Sequence, residues 1–183
     1  MRWCWAGHSA EAGGAPGLPG PRAAWQDRPV HASAQAVATI LARVAPTARV
    51  VELEASTRTA AEAADALGCP VGAIANSLVF MAGDVPVLVM TSGAHRVDTA
   101  ALEQLLGLGP VRRASSEEVR SATGQPIGGV APVGHPEPLR ALVDVDLAAH
   151  GTVWAAAGTP HAVFSTTFHE LLAITGGRAA RVA

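Results

Sequence analysis

Ser77-Leu-Val-Phe-Met-Ala-Gly-Asp-Val-Pro-Val-Leu-Val-Met-Thr91 holds two strand-forming runs separated by Gly83-Asp84. A glycine-containing pair between two such runs predicts a β-hairpin, because only a few two-residue turns match the twist of paired strands. The hairpin makes neighbouring strands antiparallel, which argues against a purely parallel, doubly wound sheet.

Working outward from this hairpin, short helices alternate irregularly with strands. Upstream, Ala34, Val37, Ile40, Leu41 and Val44 recur at helical spacing, with Ser33 expected as N-cap and Pro46 as the stop. Residues 49–53 read as a strand. Thr59-Ala-Ala-Glu62 is a capping box that opens a short alanine-rich helix ending at Gly68. Downstream, Asp98 is placed to cap a helix through Leu106 that Gly107 closes. Residues 111–114 read as a weak strand. Ser115-Ser-Glu-Glu118 and Thr167-Phe-His-Glu170 are two further capping boxes, whose helices stop near Thr123-Gly124 and at Gly176-Gly177. Residues 142–145, 153–157 and 162–166 complete the strands. The expected class is α+β with a mixed sheet, in a domain spanning 30–183. Residues 1–29 carry Gly13-Gly-Ala-Pro-Gly-Leu-Pro-Gly-Pro21 and scattered Trp3, Trp5 and Trp25 without periodicity, so a disordered N-terminal extension is expected there.

Composition removes several functions. All 13 basic residues are arginine, so mechanisms that need a lysine, such as a Walker A loop or a Schiff base, are excluded. The net charge of −2 gives no global nucleic-acid signature, so any nucleic-acid contact must use a local patch, for which Arg112 and Arg113 are candidates. Cys4 and Cys69 form no CxxC motif, which fits reduced thiols in a cytoplasmic protein. The charge-free stretch 147–169 contains Gly151, Gly158 and Pro160 and does not read as a membrane span. No GxSxG, HxxxH or HExxH spacing occurs, so no metal site or cofactor is expected.

Thr123-Gly-Gln-Pro-Ile-Gly-Gly-Val-Ala-Pro-Val-Gly-His-Pro136 is the stretch most suited to holding a ligand: four glycines and three prolines in an uncharged run. Glycine lets main chain approach a ligand, and proline stiffens it. A tight connection between strands would have the same composition. Within it, His135 is the best titratable group for orienting water or substrate.

Ala73-Ile-Ala-Asn-Ser-Leu-Val-Phe80, Val87-Leu-Val-Met-Thr-Ser-Gly-Ala-His-Arg96, Thr123-Gly124, Gly128-Gly-Val-Ala-Pro-Val-Gly-His135 and Ala157-Gly158 together resemble the YbaK/EbsC family, over roughly residues 32–181. These aminoacyl-tRNA deacylases are related to the editing insertion domain of bacterial prolyl-tRNA synthetases. The resemblance implies a mixed, β-barrel-like sheet surrounded by short helices, and hydrolysis of the ester of a mischarged aminoacyl-tRNA without metal or cofactor. It implies the aminoacylated 3′ end of tRNA as partner, with an aminoacyl-tRNA synthetase as a further one. Asn76, His135 and Gly129 fall at positions for catalysis, and Ser77, Gly93, Arg96, Gly128, Pro132, Gly134 and Gly158 at positions for substrate binding. The family's best-known members carry a lysine where this chain has Asn76, and Ala157-Gly-Thr-Pro-His-Ala-Val163 lacks a carboxylate found in them. The alternative is a non-catalytic module that binds aminoacyl-tRNA or a nucleotide.

Overall fold

The computed structural model describes residues 31–53 and 59–183. The extension expected at 1–29 lies outside the described residues. In chain order the elements are α1 (Ala32–Val44), β1 (Arg49–Glu52), α2 (Ala60–Leu67), β2 (Ile74–Ala82), β3 (Val85–Ser92), α3 (Thr99–Leu106), β4 (Val111–Arg113), α4 (Ser116–Thr123), β5 (Arg140–Asp144), β6 (Val153–Thr159), β7 (Ala162–Thr166), α5 (Phe168–Thr175) and β8 (Arg178–Ala180). Short 3-10 turns at Val71–Ala73 and Val145–Ala149 lead into β2 and out of β5.

All three capping boxes form, with Thr59, Ser115 and Thr167 each accepting from the backbone N–H of the glutamate three residues on. Gly68, Gly107, Gly124 and Gly176 close α2, α3, α4 and α5 in the left-handed conformation. The cap of α1 differs from expectation: the imidazole Nδ1 of His31, two residues earlier, accepts from Ser33 N–H at 3.2 Å. The hairpin expected at Gly83-Asp84 pairs Ala82 with Val85. Gly83 has φ +58 at the first turn position, where a type II′ turn requires glycine.

The architecture is α+β, as expected: an eight-stranded mixed sheet in the order β1-β7-β6-β2-β3-β5-β8, with β4 joined to β2. Parallel pairs join β2 to β6, β3 to β5 and β5 to β8, and the remaining pairs are antiparallel. The main core lies on one face, where Leu41, Met90, Phe164 and Leu171 are fully buried. Phe80, Val89 and Leu102 form a second core on the other face. A smaller cluster of Ala63, Ala64 and Ile74, with Trp154 against it, anchors α2.

Candidate functional site

One strand edge defines the site. Along one side β2 is paired with β3 throughout, from Ala75↔Ser92 to Ala82↔Val85. On its other side two different strands share it. Ile74 and Ala75 pair with β6, while Phe80, Met81 and Ala82 pair with β4. The sheet therefore forks, and residues 76–78 have no strand opposite on that edge. A cavity of about 400 Å³ opens in the fork.

Successive strand residues face opposite sides of a sheet, so the cavity is lined from both. Ala75, Ser77, Val79, Val119 and Val130 line it on the main-core face, an aliphatic surface broken only by the Ser77 hydroxyl. Ile74, Asn76 and Trp154 line it on the α2 face together with Thr59 and Ala63. The register Ile74↔Trp154 puts the indole beside Asn76, two residues along the same face. Among the described residues, neither the Asn76 carboxamide nor the Trp154 indole N–H has a hydrogen-bond partner, so both are available to a ligand. The Ser77 hydroxyl donates only to the Met90 thioether, at 3.3 Å. Thioether sulfur is a weak acceptor, so this donor loses little by turning to another partner.

The glycine-rich loop forms a further wall. Gly128 and Val130 line the cavity, and the half-exposed Ile127 stands at its mouth. Gly129 is buried against the β6–β7 turn: a Cβ there would lie 2.5 Å from the Thr159 carbonyl carbon and 2.9 Å from Pro160 N. Only glycine permits that approach. Gln125, which sequence reading passed over, clips the loop shut, donating from Nε2 to Val133 O at 3.0 Å and accepting from Ala131 N–H at 2.7 Å. With Gly129 N–H donating to Pro126 O, several of the loop's N–H groups are used inside the loop itself. Among the described residues the N–H groups of Gly128 and Val130, which line the cavity, have no hydrogen-bond partner.

His135 is behind this wall rather than in it. Its Nε2 donates to Ala131 O at 2.8 Å, and burial pushes its pKa below the usual histidine value, against the opposing effect of that hydrogen bond. The buried Pro132 and the positive-φ Gly134, whose Cα faces Ile40, likewise shape the loop away from the cavity. Gly93 packs against Val71 O and the Ala60 methyl, holding β3 close behind α2. Arg96 is exposed and outside the cavity. Gly158, at φ +89 beside Ser33 and Val37, borders a neighbouring hollow across the Thr159-Pro160 ridge. The fork thus brings Asn76, Ser77 and Gly128 together, with Gly129 directly behind them.

Of the two arginines read as a patch, Arg113 lines the cavity with no carboxylate partner among the described residues. Arg112 is clamped to Glu118 by two contacts of 2.9 and 2.6 Å. That guanidinium, with the Ser115 N–H, lowers the Glu118 carboxyl to about 2. Among the described residues, His95, Asp144 and Asp146 are the group whose donor atoms lie close enough to hold a metal ion. Both imidazole nitrogens already face carboxylates, at 2.8 and 3.4 Å, and Asp144 also accepts from Ser92 N–H. This cluster is satisfied within itself and ties the end of β3 to that of β5.

A family model described as the aminoacyl-tRNA editing domain matches residues 54–174, a span that includes the fork, the loop and Arg113. The chain belongs to this family. The editing domain is 34% identical over 123 residues to the uncharacterised protein YwhH of Bacillus subtilis, covering 67% of this chain and 78% of that one. It is 33% identical over 102 residues to the proline–tRNA ligase of Oleidesulfovibrio alaskensis, where the match takes up 55% of this chain but 18% of the ligase. Among solved structures, one of a protein proposed as a trans-editing enzyme for prolyl-tRNA synthetase superposes with a TM-score of 0.80. It has 48% identity and covers 84% of this chain and 98% of that one. No helix among the described residues of the editing domain is long and apolar enough to cross a membrane.

Proposed function

We propose that the protein is a trans-editing hydrolase that cleaves the ester between a wrong amino acid and the 3′ end of a tRNA. The observation that carries this reading is the forked-sheet cavity, whose free polar groups are Asn76, the Trp154 indole and Arg113 beside an aliphatic surface. That combination suits an aminoacyl ester next to phosphate. Among the described residues no cysteine, histidine or carboxylate lines the cavity. No side chain there stands ready as a base to activate the Ser77, Thr59 or Thr159 hydroxyl, so in this reading the nucleophile is water or a hydroxyl of the substrate. With water, its oxygen adds to the acyl carbonyl, the bond to the ribose oxygen breaks, a proton passes to that oxygen, and the free amino acid leaves. Asn76 and the N–H groups of Gly128 and Val130 meet the ester, while Arg113 meets a phosphate by charge-assisted hydrogen bonds. Gly129 and His135 act through the shape of the loop. Editing of this kind is needed because a synthetase pocket separates amino acids differing by one methylene by only about 1–3 kcal/mol. The relationship to proline–tRNA ligases supports a synthetase of that kind as the source of the errors, in a cytoplasmic setting.

A second reading, a module that binds aminoacyl-tRNA without cleaving it, is favoured by Asn76 standing where the family's best-known members have lysine. One experiment separates the two: purified protein is incubated with alanyl-, seryl- and cysteinyl-tRNA on several acceptors. Release of amino acid from one or a few species, lost in Asn76→Ala with tRNA binding kept, is the expected result. Binding without turnover across the panel would reject the hydrolase in favour of the module.

A further inference from the structure

Hydrogen-bond phase along β2 shows which groups the fork leaves open. Gly93 N–H donates to Ile74 O at 2.7 Å, so the even-numbered residues of β2 direct their main-chain groups toward β3. The odd-numbered ones point to the opposite edge. There Ala75 is engaged by β6, and Val79 O accepts from Ala114 N–H at 3.1 Å. Ser77 lies between them in the same phase. Its N–H and C=O point into the cavity, past the last β6 pair at Ala75↔Ala155 and short of the first β4 pair at Phe80↔Arg113. Ala75 to Val79 spans about 13 Å at the usual strand rise. That is room for one residue of a missing strand, not for a peptide.

We infer that Ser77 reads the aminoacyl group through its main chain, as a strand would read a neighbouring residue. This rests on the editing reading and adds the recognition element to it. An aminoacyl ester has the same N–Cα–C=O spine as a strand residue. Its α-ammonium donates to Ser77 C=O while its carbonyl oxygen accepts from Ser77 N–H, the reciprocal exchange of a closely bonded antiparallel pair. In that pairing an L side chain lies on the same face as the Ser77 side chain, among Val79, Val119 and Val130. The ester oxygen, where the next residue would follow, leads toward the β6 end of the gap at Ala155, and the α-ammonium lies toward the β4 end. The same N–H that positions the carbonyl also stabilises negative charge on it during attack. Recognition by main chain requires the α-amino group and is indifferent to substitution at the Ser77 hydroxyl.

The test uses two amide-linked, non-cleavable ligands, 3′-alanylamino-3′-deoxyadenosine and its 3′-propionylamino counterpart lacking the amine. Each is titrated into ¹⁵N-labelled full-length protein. The expected result is a shifted Ser77 amide whose hydrogen exchange slows at least about 10-fold with the alanyl compound, and an affinity about 10- to 100-fold weaker for the propionyl one, the range for a hydrogen bond to a charged group. If the Gly128, Val130 and Trp154 indole signals shift while Ser77 does not, or if both ligands bind equally, the inference is overturned and the editing reading stands. If neither ligand binds and no mischarged tRNA is cleaved, both fall.

Discussion

Replacing Gly129 with alanine tests how tightly the glycine-rich loop is pressed against the β6–β7 turn. The added methyl would sit 2.5 Å from Thr159 C, 2.7 Å from Thr159 Cα and 2.9 Å from Pro160 N, all main-chain atoms that no rotamer change can move. The loop is fixed from the other side by Gln125 and by the His135–Ala131 contact, so it cannot back away freely. Overpacking of this kind costs about 1–3 kcal/mol. For a domain of this size each kcal/mol lowers Tm by about 2–4 °C, so a cost near 2 kcal/mol gives a drop of about 4–8 °C. Gly151→Ala is the matched control: nothing lies within 4 Å of its Cβ position and its φ is ordinary, so its stability should stay within about 0.5 kcal/mol of the parent. The assay is thermal unfolding of the three proteins by circular dichroism, with deacylation measured alongside. A Gly129→Ala protein that melts with the parent and keeps its rate would refute the view that this contact sets the cavity wall.

The arginine pair should divide in its effect on tRNA. Arg113→Ala should weaken binding and lower the slope of log K against log salt by about one, whereas Arg112→Ala, already engaged by Glu118, should change that slope little; a filter-binding titration across salt reads both. His135 makes a pH-dependent contribution with a definite sign. Its folded pKa lies below the unfolded value of about 6.5, so the unfolded state takes up the proton first and stability falls as pH drops through that value, levelling off below the folded one. His135→Gln keeps a donor for Ala131 O and should flatten this part of the profile in urea titrations between pH 7.5 and about 5.

What the sequence disclosed was local. Each capping box joins residues three apart, and the Gly83-Asp84 turn joins two adjacent runs, so both features can be read without knowing what packs against them. The strand at Arg178–Ala180 was not legible, because three residues after a helix show no period and its partner is the distant Leu142–Asp144. The fork was hidden for the same reason. It exists because Val153–Thr159 and Val111–Arg113, far apart in the chain, reach the same edge of β2 at different heights. Asn76 and Ser77 were picked out by family resemblance, but their neighbour Trp154 reaches the site only through the register with Ile74, which no sequence pattern announces. His135 looked like a cavity residue because it follows Gly134 within the glycine-rich loop; burial and Ala131 O take its ring elsewhere.

Eight-residue helices that end on left-handed glycines have little persistence of their own. For α2 this matters at the site. It contributes Thr59, Ala60 and Ala63 to the cavity, yet its buried side is mostly methyl groups, against Ile74 and Trp154. The opposite wall is β2, hydrogen-bonded to β3 along its length. The two sides of the cavity therefore belong to units of unequal stiffness, one that opens by local fluctuation and one that opens only with the whole sheet. In the proposed editing reaction a bulky polymer end would enter past the soft side while the hard side kept the reacting bond in register.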